Sequence, residues 1–282
     1  MRSTLCAAWR SISSLAHANL GWVEMNQLQR ECWIVDAGLI RYTTSLELQH
    51  RLVEARKTGA VPDVLLFCEH PHVITLGRNG KLEHLRAGNH LLEQLNVEFQ
   101  PTDRGGDITY HGPGQIVGYP ILDLTSHRRD VRWYVEQVEE VMIRATADFG
   151  VSAGRAEGRH GIWVGADAGE EKLAALGVHL SRWVTSHGFA YNVSTDLRYF
   201  DLIVPCGIAD RRATSLERIL GRAIRAEEVR RRLAFHYGEV FERKMASVTS
   251  RHLEEAMAGG NLVPELFENP HAQAEAVKES RA

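Results

Sequence analysis

Cys206 and Lys172 each sit in surroundings that allow chemistry as well as ordinary packing. Cys206 lies in Leu202-Ile203-Val204-Pro205-Cys206-Gly207-Ile208, where an apolar run meets a Pro-Cys-Gly corner. Such a corner leaves the thiol at a bend rather than inside a strand. Taken alone, a cysteine in an apolar stretch is a small buried hydrophobe. As a thiolate it is a strong nucleophile, provided something raises its ionised fraction. Lys172 lies in Glu171-Lys172-Leu173-Ala174-Ala175-Leu176-Gly177. The two-residue strand period puts it on one face with Ala174, Leu176 and Val178. A lysine partly desolvated there can act as a base, and its cation would stabilise a thiolate. The plainer reading is a lysine at a strand edge with its head in water.

The densest segment is Arg104-Gly105-Gly106-Asp107-Ile108-Thr109-Tyr110-His111-Gly112-Pro113-Gly114-Gln115. Four glycines and one proline in twelve residues mark backbone that must turn sharply or approach a ligand closely. Two consecutive tight turns would explain the glycines. They would not explain why Arg, Thr, Tyr and His donors crowd into the same turns.

These segments need a scaffold, and the bulk properties allow one. The 282 residues suffice for a sizeable core. The 44% apolar and 24% charged residues match ordinary globular domains rather than disorder or a disulfide scaffold. A net charge of −3 provides no global basic field for nucleic acid. No run approaches the roughly 18 apolar residues of a membrane span. Cys6, Cys32, Cys68 and Cys206 show no CxxC spacing, so neither a metal site nor a disulfide framework is expected. A reducing, cytoplasmic setting follows; a mitochondrial one is the alternative, because residues 1–23 carry Arg2, Arg10 and serines without acidic residues, as transit segments do. Translation beginning at Met25 explains that stretch equally well. Arginines cluster at Arg128, Arg129 and Arg132, at Arg155 and Arg159, and at Arg211 and Arg212. They read as solvated faces or as a docking patch for an acidic protein.

With no repeats or linkers, the chain reads as one domain over 30–245, an extension over 1–29 and a loosely attached tail over 246–282. Apolar spacing predicts helices over Leu46 to Lys57, Arg129 to Phe149, Thr214 to Leu220 and Glu227 to Arg243. Strands are predicted at Val64 to Cys68, Val73 to Leu76, Val97 to Pro101, Asp107 to Tyr110, Gln115 to Leu122, Gly161 to Gly165, Glu171 to Leu180 and Trp183 to Val193. Without regular βαβ alternation, the class is a mixed α+β or irregular α/β sheet flanked by helices.

Together these motifs resemble the octanoyltransferase family of lipoate biosynthesis (lipoate-protein ligase B). The family's RGG-x-x-TYHGPGQ loop is matched by Arg104 to Gln115, and its K-x-A-[SA]-x-G strand by Lys172 to Gly177. Its THHG-like turn is matched by Thr185-Ser186-His187-Gly188, and its PCG cysteine by Pro205-Cys206-Gly207. Glu69-His70-Pro71, Thr75-Leu76-Gly77 and Thr214-Ser215-Leu216 follow the pattern too. The resemblance covers roughly residues 45 to 220. It departs at Ser186, where a second histidine or tyrosine is common, and at Phe189, where leucine is usual.

The resemblance implies the biotin and lipoate protein ligase fold, related to class II aminoacyl-tRNA synthetases. It implies Cys206 as the acyl-thioester nucleophile, Lys172 as the partner lowering its pKa, and no cofactor. Arg104, Gly105, Gly106, Asp107, Ile108, Thr109, Tyr110 and His111, with Ala175, Leu176, Gly177, Gly188, Phe189 and Ala190, would line the acyl tunnel. Octanoyl-acyl carrier protein would be the donor. Lipoyl domains of 2-oxoacid dehydrogenases and the glycine cleavage H protein would be the acceptors. An ATP-dependent lipoate or biotin ligase is the rival of the same fold, but no phosphate loop is visible and the Pro-Cys-Gly corner would go unused. A non-catalytic carrier-binding module is a third reading, and it would have no need of Lys172 and Cys206 together.

Overall fold

The structure is a computed structural model, and it describes residues 30–165, 169–204 and 212–258. Cys206, with Pro205 and Gly207, lies outside the described residues.

Among the described residues, eleven strands form two sheets. They are β1 (Glu31–Leu39), β2 (Asp63–Glu69), β3 (Val73–Leu76), β4 (Glu98–Pro101), β5 (Ile108–His111), β6 (Gln115–Ile121), β7 (Ala153–Ala156), β8 (Arg159–Val164), β9 (Glu171–Ser181), β10 (Val184–Asn192) and β11 (Lys244–Ser247). The large sheet runs β11-β1-β2-β6-β10-β9-β8-β7, and the small one β4-β3-β5. β1 is parallel to both β2 and β11, whereas β2, β6, β10, β9, β8 and β7 are successively antiparallel.

Six α-helices accompany them in the described residues: α1 (Tyr42–Thr58), α2 (Asn89–Gln94), α3 (Val131–Ala147), α4 (Leu216–Leu220), α5 (Ala226–Phe241) and α6 (Ser250–Met257). Strand alternation sorts the core into two layers. Leu65, Phe67, Ile116, Phe189 and Tyr191 pack under α3 and α5 with Tyr134, Val138 and Leu233. Val64, Leu66, Cys68, Val117, Tyr119 and Ala190 pack on the other face with Leu48 and Leu52 of α1. Asp130 caps α3 by accepting the Trp133 N–H at 3.0 Å, and Gly59, in the left-handed region at φ 75°, ends α1.

The mixed α/β class and the strands around the glycine-rich segment agree with the sequence reading. Strand β1, whose apolar residues are interrupted by Asp36 and Gly38, has no counterpart there. The packed body also continues past residue 245. β11 crosses that boundary and pairs with β1, Glu31 opposite Lys244. Leu253 of α6 is fully buried, and Trp33 meets His252 edge-on at 4.9 Å. No described helix is long and apolar enough to cross a membrane.

Candidate active site

A cavity of about 280 Å³ lies where β6, β10 and β9 face the small sheet and the glycine-rich segment. That lies just below the usual ligand-pocket range of about 300–1,000 Å³. Its walls are mainly apolar surface with a few polar groups. Buried Tyr42, His111, Gln115, Val117 and His187 line one part, and exposed Arg212 and His160 line another, which is the open end.

Lys172 belongs to the open end, but not by simple alternation. β8 and β9 pair Ile162 with Ala174 and then Trp163 with Lys172, so Leu173 is an extra residue in β9. Such a bulge shifts the side-chain phase by one. Leu173 and Ala174 are therefore both fully buried in the core beneath α3, whereas Lys172, Ala175 and Gly177 line the cavity. The expectation that Lys172 shares a face with Ala174, Leu176 and Val178 is corrected by this bulge. The lysine Nζ stands 4.7 Å from the centre of the Trp163 ring, which Arg159 also covers at 4.5 Å. Arg159 is paired with Glu170 at 2.7 Å.

The two described flanks of the Cys206 segment are anchored near this cavity. On one side Val204 N–H donates to the His84 carbonyl at 2.7 Å, and Arg86 N–H to that of Leu202 at 2.9 Å. On the other side Lys172 N–H donates to the Arg212 carbonyl, and Thr214 N–H to that of Lys172, both at 2.9 Å. His84 Nδ1 also meets the Asp107 carboxylate at 2.5 Å. The chain entering the cysteine segment is thereby linked to the glycine-rich segment.

Arg104 is buried and turned towards β3. Its Nη2 donates to the Thr75 carbonyl at 2.7 Å and to Oγ1 at 2.9 Å, and its Nη1 donates to the Gly105 carbonyl at 3.1 Å. Gly105 N–H reaches the Val178 carbonyl at 2.9 Å, which lays the loop across β9. Gly177 is small for that reason: a Cβ there would stand 2.7 Å from the Gly105 carbonyl oxygen. Gly188 has a similar constraint, since its Cβ would meet the Gly118 oxygen at 2.1 Å. Close backbone approach, rather than room for a ligand alone, explains both glycines.

Of the residues predicted to line a tunnel, Arg104, Gly106, Asp107, Ile108, Thr109, His111, Ala175, Leu176, Gly177, Gly188, Phe189 and Ala190 reach the cavity. Gly105 and Tyr110 do not. Gly105 is the tie to Val178. Tyr110 is wholly buried among rings, its hydroxyl 2.7 Å from His72 Nδ1 and its ring stacked 5.1 Å from Tyr199. Burial pushes its phenol pKa upward.

Gln115 and His187 lay within the matched motifs, and Asn192 and Trp163 within predicted strands, but none of the four was assigned to the site. Gln115 accepts from His111 Nδ1 at 2.8 Å and donates to Asn192 Oδ1 at 2.9 Å. Asn192 in turn donates to the Thr214 carbonyl at 2.9 Å, so a buried polar chain runs from the β5 wall to the Lys172 strand. Burial lowers the His111 pKa to about 3, which keeps its ring neutral. His187, at φ 55°, is held by its N–H on Gln49 Oε1 and its Nε2 on Asp103 Oδ1, both at 2.8 Å. The His187 bond holds the Asp103 carboxyl well below the usual range, while burial outweighs that carboxylate at the histidine and lowers its pKa. Trp163 was visible only as one apolar residue in a predicted strand.

Of the arginine clusters, Arg211 lies outside the described residues and Arg212 is exposed at the cavity, whereas members of the other two are engaged in ion pairs. Arg155 pairs with Glu139 at 3.2 Å and Glu140 at 3.0 Å, and Arg128 with Asp130 at 3.0 Å.

Comparison with known proteins agrees with this architecture. Residues 41–238 match the model of the lipoyl protein ligase A/B catalytic domain. The octanoyltransferase of Solibacter usitatus is 52% identical over 216 residues, covering 77% of this chain and 96% of that protein. That of Acidobacterium capsulatum is 48% identical over 244 residues, covering 83% and 96%. Among solved structures, a putative lipoate protein ligase from T. acidophilum with bound lipoic acid superposes with a TM-score of 0.65 at 17% identity, covering 81% of this chain and 93% of that one. A lipoate-protein ligase A bound with ATP gives 0.65 at 16% identity, covering 82% and 93%. The chain therefore has the lipoate protein ligase fold, and it belongs to the lipoyl protein ligase A/B catalytic-domain family as one of its octanoyltransferases, which are acyltransferase enzymes.

Proposed function

We propose that the protein moves an octanoyl group from octanoyl-acyl carrier protein to the lysine of a lipoyl domain, through a thioester on Cys206 with Lys172 as its partner. The acceptors are lipoyl domains of 2-oxoacid dehydrogenases and the glycine cleavage H protein. The observation that carries the reading is the pairing of Lys172 with Arg212 and Thr214. The chain that follows Cys206 rejoins the described structure on the lysine's own strand, at the open end of a mainly apolar cavity.

In this mechanism Lys172 takes the thiol proton, and its cation stabilises the resulting thiolate. The thiolate adds to the donor's thioester carbonyl, and the carrier's sulfur leaves with the proton that Lys172 returns. The acceptor amine then attacks the acyl-Cys206 carbonyl, Lys172 takes the amine proton, and Cys206 departs as thiolate. Backbone N–H groups beside the reacting carbonyl supply the fixed dipoles that the developing oxyanion needs. Exchange of one thioester for another is nearly isoenergetic and the amide is downhill, so no nucleotide is consumed. The cavity walls hold the straight chain, with His111 and His187 presented as neutral rings.

The test is transfer from octanoyl-loaded carrier to a lipoyl domain in the absence of ATP, followed by intact mass of the acceptor. Acylation without nucleotide supports the reading. Acylation only from free octanoate with ATP contradicts it.

A further inference from the structure

We propose that Trp163 is a positioning residue for Lys172: its indole face, set opposite the lysine by the bulge in β9, holds the ammonium at the open end of the cavity. The inference rests on the reading of Lys172 as the partner of Cys206. Three observations carry it. The Lys172 Nζ lies 4.7 Å from the Trp163 ring centre, within the roughly 6 Å over which a cation is attracted to an aromatic face, and Trp is the best of the aromatic faces. The contact depends on register. The bulge at Leu173 brings Trp163 opposite Lys172, and without it Lys172 would follow Ala174 onto the core face. Finally, Trp163 is 6% exposed, and its indole Nε1 is buried without a hydrogen-bond partner among the described residues. A core site selected for packing alone has no need of a buried donor left unmade. The ring is what the site uses.

The neighbours fit the same role. Glu139, buried on α3, accepts the Gly161 N–H at 2.8 Å and so fixes β8 just before Trp163. Arg159 shares the ring but is tied to Glu170, which keeps its charge compensated beside the lysine. The indole thus favours the charged form of Lys172 and confines it to one place, while leaving it able to exchange a proton.

The chain has five lysines, Lys57, Lys81, Lys172, Lys244 and Lys278, so reductive ¹³C-methylation of the full-length protein gives few resonances, and Lys172→Arg assigns the one of interest. The wild-type Lys172 methyl signal should be displaced upfield by the indole ring current. It should move towards the other lysines in Trp163→Leu, with its titration midpoint moving down. In the octanoyl transfer assay, the same variant should lose about tenfold in kcat while KM for the loaded carrier stays within about twofold. Trp163→Phe should fall between the two. Trp163→Met, which fills the space flexibly, replaces leucine if that variant does not fold. An unmoved Lys172 resonance in the leucine or methionine variant overturns the contact. A moved resonance with full kcat overturns the positioning role. The resonance does not depend on Cys206 chemistry, so failure here is distinct from failure of a Cys206 thioester.

Discussion

Lys172 donates its backbone N–H to the Arg212 carbonyl at 2.9 Å. This bond joins a strand in the middle of the large sheet to the chain just beyond Cys206. With the reciprocal bond from Thr214 to the Lys172 carbonyl, it forms a short parallel bridge in which Ala213 lies beside Lys172. The lysine is fixed by its main chain to the cysteine segment and by its side chain to Trp163. Its position is thus set independently of any bound acyl chain.

The crossing of the glycine-rich loop over β9 makes Gly177 intolerant of even one methyl group. Its Cβ would stand 2.7 Å from a backbone oxygen, and backbone yields less easily than a side chain. Gly177→Ala should cost about 1–3 kcal/mol of stability, lowering Tm by several degrees and raising KM for the acyl donor. Gly154→Ala is the control, because nothing lies within 4 Å of its Cβ. Equal melting of the two variants would remove the close approach as the reason for this glycine.

Stability should decline as pH falls below neutrality. Burial lowers the pKa of His70 to about 4 and of His111 to about 3, and lowers that of His187. The folded chain keeps these rings neutral while the unfolded chain protonates them near pH 6.5. The unfolded state therefore binds more protons, and stability is lost from about pH 6.5 down to about pH 4 for His70 and about pH 3 for His111, at about 1.4 kcal/mol per pH unit for each histidine so protonated. Glu139, whose pKa burial raises, offsets part of the loss at the acid end. Thermal melts at pH 7.5, 6 and 5 check this, and an unchanged Tm across them would contradict it.

Arg155 should prove structural. It bonds to the nearly buried Glu139 as well as to Glu140. Arg155→Glu would set a third carboxylate against them and cost about 1–2 kcal/mol, with KM for the carrier protein little changed. A raised KM at unchanged Tm would instead restore Arg155 to a docking surface.

The middle of the large sheet was legible in the sequence because its strands are rich in β-branched and aromatic residues, as at Gln115 to Leu122, which follows the Gly112-Pro113-Gly114 turn, and Trp183 to Val193. Strand β1 was not, since Asp36 and Gly38 break its run, and neither was β11, which has four residues and gains its order from pairing with β1. Lys172 lines the cavity, but not through the alternation by which the sequence placed it beside apolar residues. A bulge is invisible to a two-residue period, and only the pairing of Trp163 with Lys172 reveals it. Arg104 and Tyr110 show the other limit. Residue type announces hydrogen-bonding capacity but not direction, and here one clamps Thr75 while the other stacks on Tyr199. The chain from His111 through Gln115 and Asn192 to Thr214 unites residues far apart in sequence, so no local pattern could have revealed it.

The central claim is a thioester on Cys206. Intact mass after incubation with octanoyl-loaded carrier protein, without ATP or acceptor, tests it most directly. The wild-type chain should gain one octanoyl group that hydroxylamine removes, Cys206→Ser should carry no such labile group, and addition of a lipoyl domain should discharge the wild-type adduct. A hydroxylamine-labile octanoyl adduct that persists in Cys206→Ser would contradict the account.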